Sequence, residues 1–251
     1  MRPDKYFELF TANEILKDFD LSYDEIGSGI VDGSRDGGID SAYIFLNGEL
    51  LTEDSDLSTR RKNIEIELVL IQSKRSEGFS EDTMDKFHAT TEDLLDLSKP
   101  IDALADVYNE QLRQVIRRFR EAFGTLASKL PKLKLSYYYA TRGDEVNPNV
   151  SRKVERLEAK VRSLFSTVSF DFEFIDASRL MELLRRQPKT THSLTVAQTP
   201  ISSNGAFGAS DQAAKGAELI KLLNPKSYAS SYTAGPLGAR WRGLGFKSQV
   251  S

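Results

Sequence analysis

The chain contains no cysteine and only two histidines, His88 and His192. The first absence excludes disulfides, zinc–thiolate centres and a cysteine nucleophile. The second excludes a histidine metal cluster, and leaves a Ser–His–Asp triad only if His88 serves in it. A catalytic metal would therefore be held mainly by oxygen, which is the preference of magnesium, manganese and calcium. No run of about 18 apolar residues occurs, so no membrane-spanning helix is expected. The opening segment MRPDKYFELF is charged and lacks the apolar stretch of a secretory signal. With cysteine absent as well, the expected compartment is the cytoplasm. A basic excess is also missing. The net charge is −3, so the whole chain is not a basic nucleic-acid binder. That charge is uneven. Beyond Gln187 seven Lys or Arg accompany two Asp or Glu, a balance of +5 that leaves −8 for residues 1–187.

What is present fits a globular chain. Hydrophobic residues make up 39% and charged residues 28%, and 251 residues suffice for one large domain or a domain with an appendage. Tyr6–Phe19 spaces Phe7, Phe10, Ile15, Leu16 and Phe19 near a 3.6-residue period, which predicts an amphipathic helix starting near Pro3. DEIGSGIVDG reads as a short extended piece closing on a turn. IDSAYIFLNG reads as a strand ending at Asn47-Gly48, a hairpin signal. Residues 52–63 read as a polar loop.

Ile64–Lys74 is the clearest strand. Ile64, Ile66, Leu68 and Leu70 share one face with Gln72 and Lys74, while Val69 and Ile71 make the other face apolar. A strand apolar on both faces belongs in the middle of a covered sheet. Helices are expected over Ser80–Leu97, capped by Ser80, and over Ile101–Leu130. A strand over Lys132–Thr141 follows Pro131. A helix then starts near Asn147 or Asn149, and VSFDFEFID and ASRLMELLRRQ supply a last strand and a last helix. The order predicts a mixed α/β domain over residues 1–187. From Pro188 on, the composition turns to Ser, Gly and Ala. Seven of the sixteen glycines lie there, and residues 188–251 read as a basic linker or tail with one short helix in DQAAKGAELIKLL.

The residues that carry chemistry are Asp40, Gln72 and Lys74. Asp40 opens a strand directly after the glycine turn of SRDGGID. Gln72 and Lys74 lie two apart at the end of the long strand, on one face. If the two strands are neighbours, these groups meet at one end of an apolar sheet. Asp40 could then hold a divalent cation, with the Gln72 amide oxygen and the Ser73 carbonyl adding oxygen ligands. Lys74 could orient or deprotonate a water and stabilise charge on a phosphate. Each residue taken singly is better read as a turn or strand-end residue. Their order and spacing around one hairpin make the set more specific.

DGGID followed by a strand ending in QSK resembles the PD-(D/E)XK, or restriction-endonuclease-like, superfamily. In particular it resembles the branch, as in Mrr-type restriction enzymes, in which Gln replaces the usual acid. The longer stretch FELF…ILKDFDLSYDEIGSGIVDGSRDGGIDSAYIFLNGEL looks closer still to the N-terminal domain of abortive infection phage resistance proteins. The resemblance covers roughly residues 5–185. It implies a restriction-endonuclease-like α-β-β-β-α-β core and a magnesium- or manganese-dependent nuclease acting on nucleic acid, DNA foremost, in phage defence. It implies Asp40 as principal metal ligand, Gln72 in the second-ligand position and Lys74 as the motif lysine. The superfamily often adds a glutamate from the first helix. Glu8 is the first choice here and Glu14 the second. Asp36 is expected to shape the turn, with Gly37 and Gly38 allowing close packing.

Residues 1–187 are acidic, so extra affinity for DNA would come from a homodimer, from the tail or from a further region. A rival reading is a catalytically silent domain of the same fold, serving as a nucleic-acid-binding or interaction module. Gln72 and the negative charge favour it. Arg117, Arg118 and Arg120, and Arg152, Lys153 and Arg156, could meet phosphates, but read better as solvated helix faces. Tyr137, Tyr138 and Tyr139 read as packing residues, and His88 as a surface or satisfied histidine. Trp241 between Arg240 and Arg242 reads as part of a loose end.

Overall fold

A strand that is apolar on both faces needs cover on both sides, and the helices of this chain provide it. The computed structural model describes residues 3–31, 33–58 and 63–188, which belong to the first of two units, Met1–Pro188. Its elements run α1 (Pro3–Ile15), α2 (Tyr23–Ser28), β1 (Ser41–Leu46), β2 (Glu49–Leu50), β3 (Glu65–Ser73), α3 (Glu81–Leu94), α4 (Glu110–Leu126), β4 (Lys132–Ala140), α5 (Pro148–Leu164), β5 (Val168–Ile175) and α6 (Ala177–Arg185). The strands form one sheet in the order β2-β1-β3-β4-β5. β1 is antiparallel to β2 and β3, whereas β3, β4 and β5 are parallel. The chain is a mixed α/β protein. No helix of the described residues is long and apolar enough to cross a membrane.

The two-residue period sorts the core into two layers. Ile66, Leu68 and Leu70 of β3 join Ala42, Ile44 and Leu46 of β1 under Met84 and Phe87 of α3, Leu112, Ile116 and Phe119 of α4, and Leu157 and Val161 of α5. Val69 and Ile71 join Tyr43 and Phe45 under Ala12, Leu16 and Ile26 on the opposite side. α6 extends that second layer, packing Leu180 and Leu183 with Ala140 and Ile175 and against Phe7 and Phe10 of α1. Each such side chain contributes about 1.5–3 kcal/mol when fully buried. The β1–β2 turn has Asn47 at φ 55° and Gly48 at φ 85°, the left-handed pair that suits a two-residue hairpin. Ser80 caps α3 by accepting from Thr83 N, and Asn147 caps α5 with Pro148 behind it.

Four segments differ from the sequence reading. The first helix ends at Ile15 rather than Phe19, with a separate 3-10 turn at Lys17–Phe19. DEIGSGIVDG is not extended at its start, because Tyr23–Ser28 is helical. The Ser22 hydroxyl accepts from Glu25 N while the Glu25 carboxylate accepts from Ser22 N, a reciprocal cap that nucleates even a short helix. The stretch expected as one helix over Ile101–Leu130 is broken. A 3-10 turn at Ile101–Leu104 is followed by a bend, and Asn109 starts α4 by accepting from Leu112 N. At the break Tyr108 is buried, and its hydroxyl donates to Asp93 at 2.9 Å. α3 itself ends at Leu94 rather than Leu97.

The arginines of α4 are engaged. Arg117 pairs with Asp102 and Glu110, and Arg118 with Glu53. Arg120 does something else. Its guanidinium donates to the carbonyls of Leu94 (2.6 and 2.9 Å), Asp96 (2.9 Å) and Lys99 (2.6 Å), closing the turn that follows α3. A planar fork satisfies several carbonyls at once, which an ammonium does less well. Arg120→Ala is expected to lower stability by about 2–3 kcal/mol, with Arg120→Lys recovering only part of it. Urea unfolding of the two variants measures this, and an unchanged midpoint for Arg120→Ala would show the bonds to be dispensable.

Candidate functional site

The loop ahead of β1 is built by its glycines. Gly37 and Gly38 adopt φ 64° and 77°, a region that suits residues without a side chain. The Asp36 carboxylate accepts from Gly38 N at 2.7 Å, so Asp36 is the turn residue. Thr90 of α3 donates its hydroxyl to the Gly37 carbonyl at 2.7 Å. A Cβ on Gly37 would lie 2.5 Å from Thr90 Oγ1 and 2.8 Å from the Tyr108 ring, and one on Gly38 would lie 2.9 Å from Lys86 Cβ. The loop is therefore clamped by α3 and by the bend before α4. Arg35 adds to the clamp, its carbonyl accepting from Asn109 N at 2.8 Å.

The clamped loop delivers Asp40 beside the end of β3. Ser41 pairs with Ile71 in the antiparallel ladder, and Asp40 N donates to the Ile71 carbonyl at 2.9 Å. One residue further, the Asp40 side chain takes over from the backbone. Its Oδ2 accepts from Ser73 N at 2.6 Å and from the Gln72 amide at 2.5 Å. Gln72 and Ser73 are both buried. Alternate residues on a strand present their backbone groups to the same neighbour, so the Ser73 carbonyl also faces the β1 side. The Ser73 hydroxyl is buried without a hydrogen-bond partner.

Burial pushes the Asp40 carboxyl up to about 7. The Ser73 N–H opposes that rise, the negative charges of Glu8 and Asp36 add to it, and Lys5 works against it. The two helix glutamates thus separate. Glu8 lies close enough for its charge to act on Asp40, and it pairs with Lys5 at 3.0 Å. Glu14 is ion-paired with Lys17, whose ammonium also donates to the carbonyls of Leu183 (2.8 Å) and Arg186 (3.3 Å) at the end of α6. Glu14 serves to fasten α1 to α6. Lys74 follows β3 directly, half-buried, with its N–H on the Ala140 carbonyl at 2.8 Å. Its side chain has no hydrogen bond or ion pair with another described residue.

The oxygen donors near this junction are the Asp40 carboxylate, the Ser73 carbonyl and, from α1, Glu8; Gln72 turns its N–H to Asp40 and its amide oxygen towards Gly38, so its amide would have to flip to become a ligand. In kind they suit a hard cation such as magnesium or manganese. A buried carboxylate destabilised by like charges is also one that a cation would relieve. Among the described residues no group of three or more His, Cys, Asp or Glu is close enough to hold a metal. A cation at Asp40 would therefore depend on the neutral Gln72 and Ser73 oxygens.

The remaining candidates are structural or uninvolved. Tyr137 and Tyr139 are core residues, with hydroxyls bonded to Thr91 (2.7 Å) and Thr83 (3.1 Å). His88 is half-buried on α3. Lys153 pairs with Asp85 at 2.6 Å and Glu81 at 3.3 Å, while Arg152 and Arg156 are exposed. A surface pocket lined by Leu51, Leu57, Gln114 and Arg118 includes none of the site residues. His192, the segment DQAAKGAELIKLL and Trp241 with its arginines lie outside the described residues. Sequence reasoning missed Thr90, Tyr108 and Lys86, because nothing linear places α3 against the glycine loop. Lys5 was findable, three residues before Glu8 on one helix face.

The raised Asp40 value has a consequence for stability. The folded carboxyl titrates near 7 and an unfolded one near 3.8. Stability is therefore lost as pH rises between those values and stays lost above them. Asp40→Asn is expected to raise the melting temperature by several degrees at pH 8 and to change it little at pH 4. Magnesium or manganese should raise the wild-type midpoint at pH 8 and leave that of Asp40→Asn unmoved. Calorimetry at both pH values tests this, and a wild type more stable than Asp40→Asn at pH 8 without metal would refute it.

No protein-family model matches the chain, and no curated protein or solved structure matches it either.

Proposed function

We propose that this chain is a metal-dependent nuclease that hydrolyses phosphodiester bonds, DNA foremost, in defence against phage. The observation that carries the reading is the junction at which Asp40, at the start of β1, accepts from Gln72 and Ser73 at the end of β3. The resemblance of DGGID and QSK to the PD-(D/E)XK superfamily points the same way. A bound magnesium or manganese ion would supply Lewis-acid stabilisation of the charge that builds on the phosphate. Asp40, Gln72 and Ser73 are the residues that would hold it, with Glu8 beside them. Gln72 and the Ser73 N–H keep the Asp40 carboxylate in one orientation. Lys74, two residues from Gln72 on the same strand face, would orient the attacking water and take up part of the developing negative charge.

A second reading is a catalytically silent domain that binds nucleic acid or a partner. Its support is that Gln72 donates an N–H to Asp40 where a second carboxylate would add charge, and that no three acids among the described residues stand close enough together to hold a metal.

Plasmid cleavage with magnesium or manganese separates the two. Metal-dependent nicking is expected from the wild type, falling at least about 100-fold in both Asp40→Ala and Lys74→Ala. Cleavage that survives both substitutions would remove these residues from the chemistry. No cleavage by folded wild type would favour the silent module.

A further inference from the structure

Lys86 stands over the site from α3, and nothing in the linear motif points to it. A Cβ placed on Gly38 would lie 2.9 Å from Lys86 Cβ, 3.2 Å from Lys86 Cδ and 3.5 Å from Gln72 Oε1. The lysine stem and the Gln72 amide oxygen therefore flank the same glycine, two residues before Asp40. The contact is anchored one helical turn on, where Thr90 donates to the Gly37 carbonyl at 2.7 Å. Lys86 and Thr90 thus share the face of α3 applied to the glycine loop. Thr90 fixes the distance, and the Lys86 stem lies against Gly38.

The charge of Lys86 is available. The residue is exposed and has no hydrogen bond or ion pair with another described residue. Of the acids near it in the helix, Asp85 and Glu81 pair with Lys153, and Asp82, one turn before it, forms no ion pair with it. By contrast, Lys17, Lys99, Lys134 and Lys160 are each tied to a carboxylate. Around Gln72 two uncommitted lysines remain, Lys74 at the end of β3 and Lys86 above Gly38. The site they border is acidic through Asp40, Asp36 and Glu8.

We infer that Lys86 binds a backbone phosphate of the nucleic acid, holding the strand across the Gly37-Gly38 loop. This rests on the nucleic-acid reading above and adds a residue and a place to it. An ammonium on a long stem suits such a contact: it acts as a point charge, independent of base sequence.

The test is binding of the full chain to a short fluorescent DNA duplex and to the matching single strand, with calcium in place of magnesium, over a series of salt concentrations. Lys86→Gln is expected to weaken binding about 3- to 10-fold, and to reduce the slope of log affinity against log salt by about one. Lys86→Arg should keep both. Lys132→Gln, at the opposite end of the sheet, should change neither, and the melting temperature of Lys86→Gln should equal that of the wild type. Unchanged affinity and slope in Lys86→Gln, or a wild type that binds neither DNA, would overturn the inference. A Lys86 effect on binding in a protein that fails the plasmid assay would overturn the nuclease reading and leave Lys86 in place.

Discussion

The site depends on one substitution of side chain for backbone. Past the last ladder pair of β1 and β3, the Asp40 carboxylate accepts the Ser73 N–H that a strand carbonyl would otherwise take. The sheet is continued by a charged group. That placement sets the buried environment and the elevated titration of Asp40, and it brings Gln72 into contact. A carboxylate there is an unfavourable choice for folding alone, since a neutral acceptor would satisfy the same donors without the desolvation cost. Positions that keep such a group are candidates for function on physical grounds.

Everything around this junction works to hold it. Tyr108 lies at the break between the 3-10 turn and α4, and its ring fills the space beside Gly37. Arg120 fixes the end of α3 from the other side. Glu14 and Lys17 tie α1 to α6, which keeps Glu8 near Asp40. These contacts lie in different segments, yet each restrains an element that bears on the glycine loop or on β3.

Much of this was legible in the sequence. The two-residue period of Ile64–Lys74 gave both faces of β3 and put Gln72 and Lys74 together. Asn47-Gly48, Ser80 and Asn147 act through local backbone chemistry, so their turns and caps could be read directly. The capping box of Ser22 and Glu25 was also local, a helix-start signal written in the Ser-x-x-Glu spacing. What could not be read was tertiary. The bend at Tyr108 requires Asp93 from another element, and the choice of Glu8 over Glu14 depends on where Lys17 finds α6. The approach of Lys86 and Thr90 to the loop follows from packing of α3, which leaves no mark in a linear pattern.

The sheet order has a kinetic side. Asp40 and Gln72 are 32 residues apart, so antiparallel pairing closes the site across a modest loop. The parallel pair β3–β4 is different. Ser136 reaches Glu67 over 69 residues, with α3 and α4 between. Long parallel closures form slowly, because the chain entropy is lost before the contacts reward it. During synthesis the Asp40 junction can form while the other edge of β3 still waits for its neighbour. For that interval the backbone groups of Leu68 and Leu70 form an open strand edge, the kind of surface to which a second unfinished chain, or a chaperone, would attach.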